Sequence, residues 1–152
     1  MKIRKAISSD VDNIYKVHLD SGKHFYQECY SAHQINLLYK NKKPSGYLNI
    51  IDDIYLISDE KNNTLGWIHC SDNEIHGLYI HPQHIKKGIG KTLVEFSLEN
   101  LLNTSKHIKI QSSLFAVDFY KKMGFIITNY ENVEIENTKI AVVNMEYKKS
   151  LK

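Results

Sequence analysis

A chain of 152 residues with 42% hydrophobic and 24% charged residues has the length and make-up of one globular domain, residues 1–152, with a single core. Its net charge of +3 is too small to point to nucleic acid and suits a protein with one local anionic ligand. No apolar run reaches the length of a membrane span, and the basic start MKIRKAISSD has no apolar segment behind it, so neither a spanning helix nor a signal peptide is expected.

In chain order, Lys2 to Ile7 is a short strand candidate. Ser8-Ser9-Asp10 then supplies a helix cap, with Asp10 and Asp12 in the first turn, where the helix dipole favours carboxylates. Ile14, Val17 and Phe25 form the apolar stripe of this first helix, weakened at Gly22. A second helix is expected from about Ala32 to Tyr39, beginning at Ser31, and Asn41 to Gly46 reads as loop. Strands at Ile54 to Ser58, Leu65 to Ser71 and Glu74 to Ile80 are separated by Asn62-Asn63 and Asp72-Asn73, which is the chemistry of an antiparallel meander. Ile89, Leu93, Phe96 and Leu101, with Val94 and Leu98, then mark a helix with a broad buried face. His107 to Gln111 reads as a strand and Phe115 to Met123 as a short helix ending at Gly124. Phe125 to Asn129 and Ile140 to Tyr147 complete the set, joined by a polar stretch around Glu136-Asn137. The order β-α-α-β-β-β-α-β-α-β-β is that of a mixed α/β domain of the α+β type.

One segment carries chemistry. Between the third meander strand and the next helix lies HPQHIKKGIGKTL, His81 to Leu93, with Gly88 and Gly90 one residue apart behind Lys86 and Lys87. A strand–loop–helix arrangement leaves the backbone N–H groups of Lys86 to Lys91 without intrahelical partners at a positive dipole end. Two residues without side chains let phosphate oxygens approach that backbone. The segment is not a P-loop: Gly90-Lys91-Thr92 has that motif's ending, but the spacing is missing, with Ile85 where the first glycine would stand. Nor is it a dinucleotide fingerprint, since the third glycine is absent. A glycine-softened helix start with solvated lysines is the plain alternative.

Glu74-Ile75-His76-Gly77-Leu78-Tyr79-Ile80-His81-Pro82, followed by Lys87-Gly88-Ile89-Gly90, resembles the central motif of the GNAT superfamily of acyl-CoA-dependent N-acyltransferases. About thirty residues on, Ser113 to Phe125 resembles that family's second motif, with an alanine at 116, the pair Phe119-Tyr120 and the pair Gly124-Phe125. The resemblance covers nearly the whole chain. It implies a central mixed, mostly antiparallel twisted sheet flanked by about four helices. It implies that Leu78, Tyr79 and Ile80 pair with the pantetheine arm of acetyl-CoA, and that Lys86, Lys87, Gly88, Ile89, Gly90 and Lys91 take the pyrophosphate. Ser113 and Phe119 would also border the cofactor. The chain departs from the family at Ile85, where Gln or Arg is usual, at Lys86, where Gly is common, and at Ser113, often Asn. Backbone amides survive the first two changes, whereas a shorter hydroxyl at 113 puts that contact in question.

For acyl transfer, an amine must lose a proton before attacking a thioester, and the leaving thiolate must gain one or be stabilised. By the resemblance, Tyr120 is the donor beside the sulfur. Glu74 resembles the position of a catalytic glutamate in some members of the superfamily. Simple strand alternation sets Glu74, His76, Leu78 and Ile80 on one face, which makes His76 an alternative base; a water relay is a third route. His81 and His84 are three apart but across a proline-containing loop and without a further ligand, so no metal is expected. Cys29 and Cys70 belong to no CxxC pair and read as free thiols of a reducing cytoplasm.

The leading reading is an N-acetyltransferase that transfers the acetyl group of acetyl-CoA to a primary amine, on a small molecule, a protein N-terminus or a lysine. A non-catalytic acyl-CoA-binding module on the same fold is the alternative, and Tyr120 distinguishes the two. A nucleic-acid-binding domain using the basic loop with Lys148, Lys149 and Lys152 is disfavoured by the modest charge. Membrane association is not expected, and a homodimer is left open.

Overall fold

The alternating apolar residues between Ile54 and Ile80 build a meander around which everything else packs. In the computed structural model, which describes residues 1–150, it consists of β2 (Ile54–Ser58), β3 (Thr64–Ser71) and β4 (Glu74–Ile80), each antiparallel to the next. Strand β1 (Lys2–Lys5) pairs antiparallel with β2. On the far side, β5 (His107–Ser113), β6 (Ile126–Ile135) and β7 (Thr138–Lys148) complete a seven-stranded sheet in the order β1-β2-β3-β4-β5-β7-β6. All neighbours are antiparallel except β4 and β5. The mixed, mostly antiparallel sheet is the expected fold class, and the last two strands run further than their apolar cores suggest.

Four α-helices cover the two faces. Helix α3 (Ile89–Leu101) places Ile89, Leu93, Val94 and Leu98 in one core cluster with Ile57, Ile68, Ile75, Ile108 and Ile110. Helix α4 (Val117–Lys122) adds Tyr120 to the same cluster. On the opposite face, α1 (Val11–Phe25) buries Ile14 and Val17 against Trp67, Ile54, Leu56 and Tyr47. Helix α2 (Ala32–Tyr39) starts where expected, because Ser31 Oγ accepts from Gln34 N and the Gln34 side chain accepts from Ser31 N, at 3.1 and 2.8 Å.

Three local expectations are corrected. Ser8–Asp10 is a 3-10 turn, and Asp10 is buried: its carboxylate takes both Arg4 guanidinium nitrogens at 2.8 and 2.9 Å and the Ile7 N–H at 2.8 Å. It ties β1 to the helix instead of decorating a dipole. Gly22 is no weak point of α1, since a Cβ there would collide with the Tyr39 ring; the glycine lets α2 close on α1. The segment Pro44–Asp53 is 3-10 helix and not simple loop, with Tyr47 turned into the core. Among the basic C-terminal residues, Lys148 ends β7, and Lys149 N–H donates to Lys106 O at 2.9 Å. Lys152 lies outside the described residues. Among the described residues no helix is long and apolar enough to cross a membrane.

Candidate active site

The site follows from one break in the sheet. Parallel strands β4 and β5 pair at Glu74–Lys109 and Ile75–Ile110 and then part, leaving Leu78 to Ile80 and Gln111 to Ser113 as the arms of a wedge. Just before the arms separate, β4 carries a bulge: His69 pairs with Gly77 and Cys70 with Ile75, so His76 is an extra residue. A bulge flips the side-chain phase beyond it. Ile75, Leu78 and Ile80 therefore share the α3 cluster, while Tyr79 packs on the α1 side against Trp67 and His18. Simple alternation, which groups Glu74, His76, Leu78 and Ile80, is overturned: His76 is on the side of Tyr79.

On one side of the wedge lies a cleft of about 250 Å³ with mainly apolar walls. Leu78, Tyr79, Ile80, Lys86, Gly90, Ser113, Phe119 and Tyr120 all border it, which brings together eight of the residues singled out in the sequence. Its mouth is the start of α3. Thr92 N–H bonds Gly88 O at 3.0 Å, so the amides of Ile89, Gly90 and Lys91 have no partner within the helix. Gly88 is the N-cap residue with φ of 77°, and a Cβ there would meet nothing within 4 Å. At Gly90 a Cβ would press on the Phe119 ring at 3.3 Å. The Ile89 side chain is core, so this residue can offer a ligand only its backbone. Lys86 borders the cleft, while Lys87 and Lys91 are exposed and do not line it, with Lys87 Nζ 3.2 Å from His84 Nδ1 and Lys91 Nζ 3.9 Å from Glu95. Lys86 has φ of 60°, the left-handed region that favours glycine. An unpaired amide cradle with an open, side-chain-free N-cap and cations around it suits a diphosphate.

Tyr120 is 3% exposed, and burial raises its phenol pKa, with Tyr26 adding to the effect. It is a neutral donor throughout the physiological range. Phe25 and Phe115, both lining the cleft, stack at 4.9 Å, a pairing with no sequence signal.

On the other side of the wedge is a second compartment of about 220 Å³, and Tyr26, Tyr79 and Ser113 line both spaces. Its walls are aromatic: Tyr26, Tyr30, Tyr39 and Tyr79 with the ring of His18. His18 is 7% exposed, stacks on Tyr79 at 3.8 Å and meets Tyr47 Oη with Nδ1 at 2.7 Å. Burial, with the Lys42 charge assisting, pushes its pKa down to about 3, so the ring is neutral. Burial also raises the Tyr26 phenol to about 12, against the opposing effect of a hydrogen bond with Ser113. Tyr30 Oη accepts from Leu114 N at 3.0 Å and donates to Ala141 O at 2.7 Å, which pins the end of β5 to β7.

His76 lines this compartment, and Glu74 does not. Glu74 Oε2 is 3.8 Å from His76 Nδ1, and His76 Nε2 is 2.8 Å from Ser71 Oγ. Glu74 itself borders a polar groove over β5–β7 with Lys109 and Glu146. Tyr26 and Tyr30 were missed as site residues because they come from the turn after α1, where spacing alone cannot separate pocket lining from core.

Residues 11–149 match the family model for the acetyltransferase (GNAT) domain. The chain belongs to the GNAT acetyltransferase family. It is similar to the peptidyl-lysine N-acetyltransferase YjaB of Escherichia coli, 27% identical over 94 residues, 62% of this chain and 63% of that protein. The chain thus spans less than two thirds of that relative's length. Among solved structures, a GCN5-related N-acetyltransferase from Rhodopseudomonas palustris superposes with a TM-score of 0.90 at 16% identity, covering 97% of this chain and 95% of that one. The PaiA N-acetyltransferase of Thermoplasma acidophilum, solved with coenzyme A, gives 0.76 at 24% identity over 97% and 98% of the chains. At these identities the likeness establishes the fold.

Proposed function

We propose that this GNAT domain transfers the acetyl group of acetyl-CoA to a primary amine by direct attack within a ternary complex. The observation that carries the reading is the pair of compartments meeting at the β4–β5 wedge, one headed by a phosphate cradle, with Tyr26, Tyr79 and Ser113 common to both. A thioester entering from the cradle side and an amine entering from the aromatic side meet at that partition. Among the described residues no cysteine lines either compartment, which favours direct attack over a thiol-bound acyl-enzyme.

The chain's residues divide the work by location. The amides of Ile89, Gly90 and Lys91 hold the pyrophosphate, with Lys86 and Lys87 supplying charge, and Leu78 to Ile80 align the pantetheine arm. Tyr120 donates a hydrogen bond to the leaving sulfur. With its pKa raised by burial, complete proton transfer to a thiolate, whose thiol pKa is roughly 8.5, is uphill; stabilisation of the developing anion is what this phenol can do. His76 is the better-placed base, since it lines the amine compartment, and Glu74 acts through it as a positioning residue that favours the proton on Nδ1. The likeness to YjaB makes a lysine side chain one acceptor to try.

Initial rates of thiol release, with acetyl-CoA and amine both varied, test the reading. Intersecting double-reciprocal lines are expected; parallel lines would demand a covalent intermediate and sink the ternary complex.

A further inference from the structure

The aromatic compartment is electrostatically lopsided. Lys42 is the one lysine, arginine, aspartate or glutamate among its described lining residues. The turn that follows α2 fixes it, with Lys42 N–H donating to Tyr39 O at 3.0 Å. Its charge is felt at the buried His18 ring. No side-chain acceptor pairs with its ammonium among the described residues. Three carboxylates on or beside the strands that line the compartment are engaged: Glu136 holds Lys40, Glu131 accepts from Asn144 Nδ2 at 2.8 Å and from Gln111 Nε2 at 3.3 Å, and Glu74 is 3.8 Å from His76 Nδ1. Lys42 shares this compartment with the Tyr39 and Tyr79 rings and with the neutral His18, which packs against both.

An amine that reaches the wedge from this side must lay its body along those rings. A second ammonium on that body meets a like charge and no carboxylate, which disfavours polyamines. An anionic group meets an unpaired ammonium. Building on the acetyltransferase reading, we propose that the acceptor is a small amine carrying a carboxylate or similar anion on its own skeleton, its apolar body against Tyr39, Tyr79 and His18 and its anion on Lys42. A volume of about 220 Å³ fits one amino acid or one amine-bearing aromatic acid, not a folded polycation.

The decisive probes are 4-(aminomethyl)benzoate and 4-(aminomethyl)benzamide, which share a benzylic amine and a flat body and differ in charge. Because Lys42 is exposed, the benzoate should show a kcat/KM up to about fivefold higher, mainly through KM, as an ion pair in contact with water implies. Lys42→Met should abolish that preference and Lys42→Glu reverse it, with acetyl-CoA affinity unchanged by calorimetry. Equal use of the two probes, a Lys42→Met variant that keeps the preference, or better turnover of spermidine or a lysine peptide than of the benzoate overturns the proposal and leaves the acetyltransferase reading standing. Absence of thiol release with all of these amines overturns both.

Discussion

The two compartments are built on different principles. The cleft below the start of α3 relies on backbone: amides at one helix start, two parted strands and a glycine N-cap, supplied by the stretch from Glu74 to Leu93 with β5 and α4. The acceptor side is made of side chains drawn from α1, α2, β4, β5, β6 and β7, which meet only after the chain has folded. Backbone chemistry needs particular residues at particular local spacings. Side-chain chemistry needs only that some aromatic or polar residue arrive from somewhere. Variants that strike one compartment and spare the other are therefore the way to test how independent they are.

The largest separation is expected at Tyr120. Tyr120→Phe removes one oxygen and keeps the ring that packs on Phe119 and Phe125. A hydrogen bond to a charged group contributes about 1.5–3 kcal/mol, so kcat should fall roughly ten- to a hundredfold. Acetyl-CoA affinity by calorimetry and the amine KM should barely move. An unchanged kcat makes Tyr120 a packing residue. Because the phenol pKa is raised, the loss should be uniform across pH 6 to 9; a new alkaline limb would contradict the hydrogen-bond role.

Next comes Gly88→Val, which confines its damage to the cradle. A Cβ at this position is free of clashes, yet φ of 77° costs an ordinary L-residue about 1–2 kcal/mol, and a β-branched one at least as much. Acetyl-CoA binding should weaken about tenfold while the amine KM stays put, and Gly88→Asn should do less harm. A folded Gly88→Val variant with parental affinity would remove the loop from the cofactor site.

This asymmetry explains what could be read in advance. The meander, α2 with its Ser31 cap and the glycine loop that opens α3 were legible because turn residues, caps and glycines act locally. The bulge at His76 was not, since nothing in Glu-Ile-His-Gly marks which residue is extra; only the register with His69 and Cys70 does. That one residue reassigns His76 to the aromatic compartment. Gly22 was misread for a related reason: its partner, Tyr39, is on another helix. Tyr26 and His18 carry no local signature either.

The acceptor side has its own pH signature through His18. Its folded-state pKa of about 3 lies below the roughly 6.5 of an unfolded chain. Above pH 6.5 the ring is neutral in both states and adds no pH dependence. As pH falls below 6.5 the unfolded chain takes up a proton that the native ring refuses, so stability drops, approaching about 1.4 kcal/mol per pH unit until the folded pKa is reached. Burial lowers the pKa of His69 and His81 too, so their contributions share this sign. Chemical denaturation at pH 7, 6 and 5 should therefore give a steeper loss in the parent than in His18→Gln. Parallel curves would mean that the His18 ring is solvated. Cofactor affinity of the variant should stay near the parental value, because His18 does not line the cradle.

The smallest effect, and the sharpest for the loop, is expected at Lys86. Its φ of 60° is a conformation in which an L-residue loses about 1–2 kcal/mol, so Lys86→Gly relieves strain. Glycine also loosens the unfolded chain, which costs about 0.5–1 kcal/mol. The two nearly cancel, leaving a net gain within about 1 kcal/mol and a Tm rise of at most a few degrees. Affinity behaves differently, because an exposed lysine beside a diphosphate contributes about 0.2–1 kcal/mol, which the variant loses. Acetyl-CoA should therefore bind up to about fivefold more weakly to a protein that is no less stable. Lys86→Asn separates the terms, since asparagine tolerates the left-handed region, carries no charge and adds no glycine entropy. If charge is what Lys86 contributes, the Gly and Asn variants should lose affinity equally at low salt and match the parent at high salt. If neither variant weakens binding at low salt, charge does not act there and the lysine projects into water.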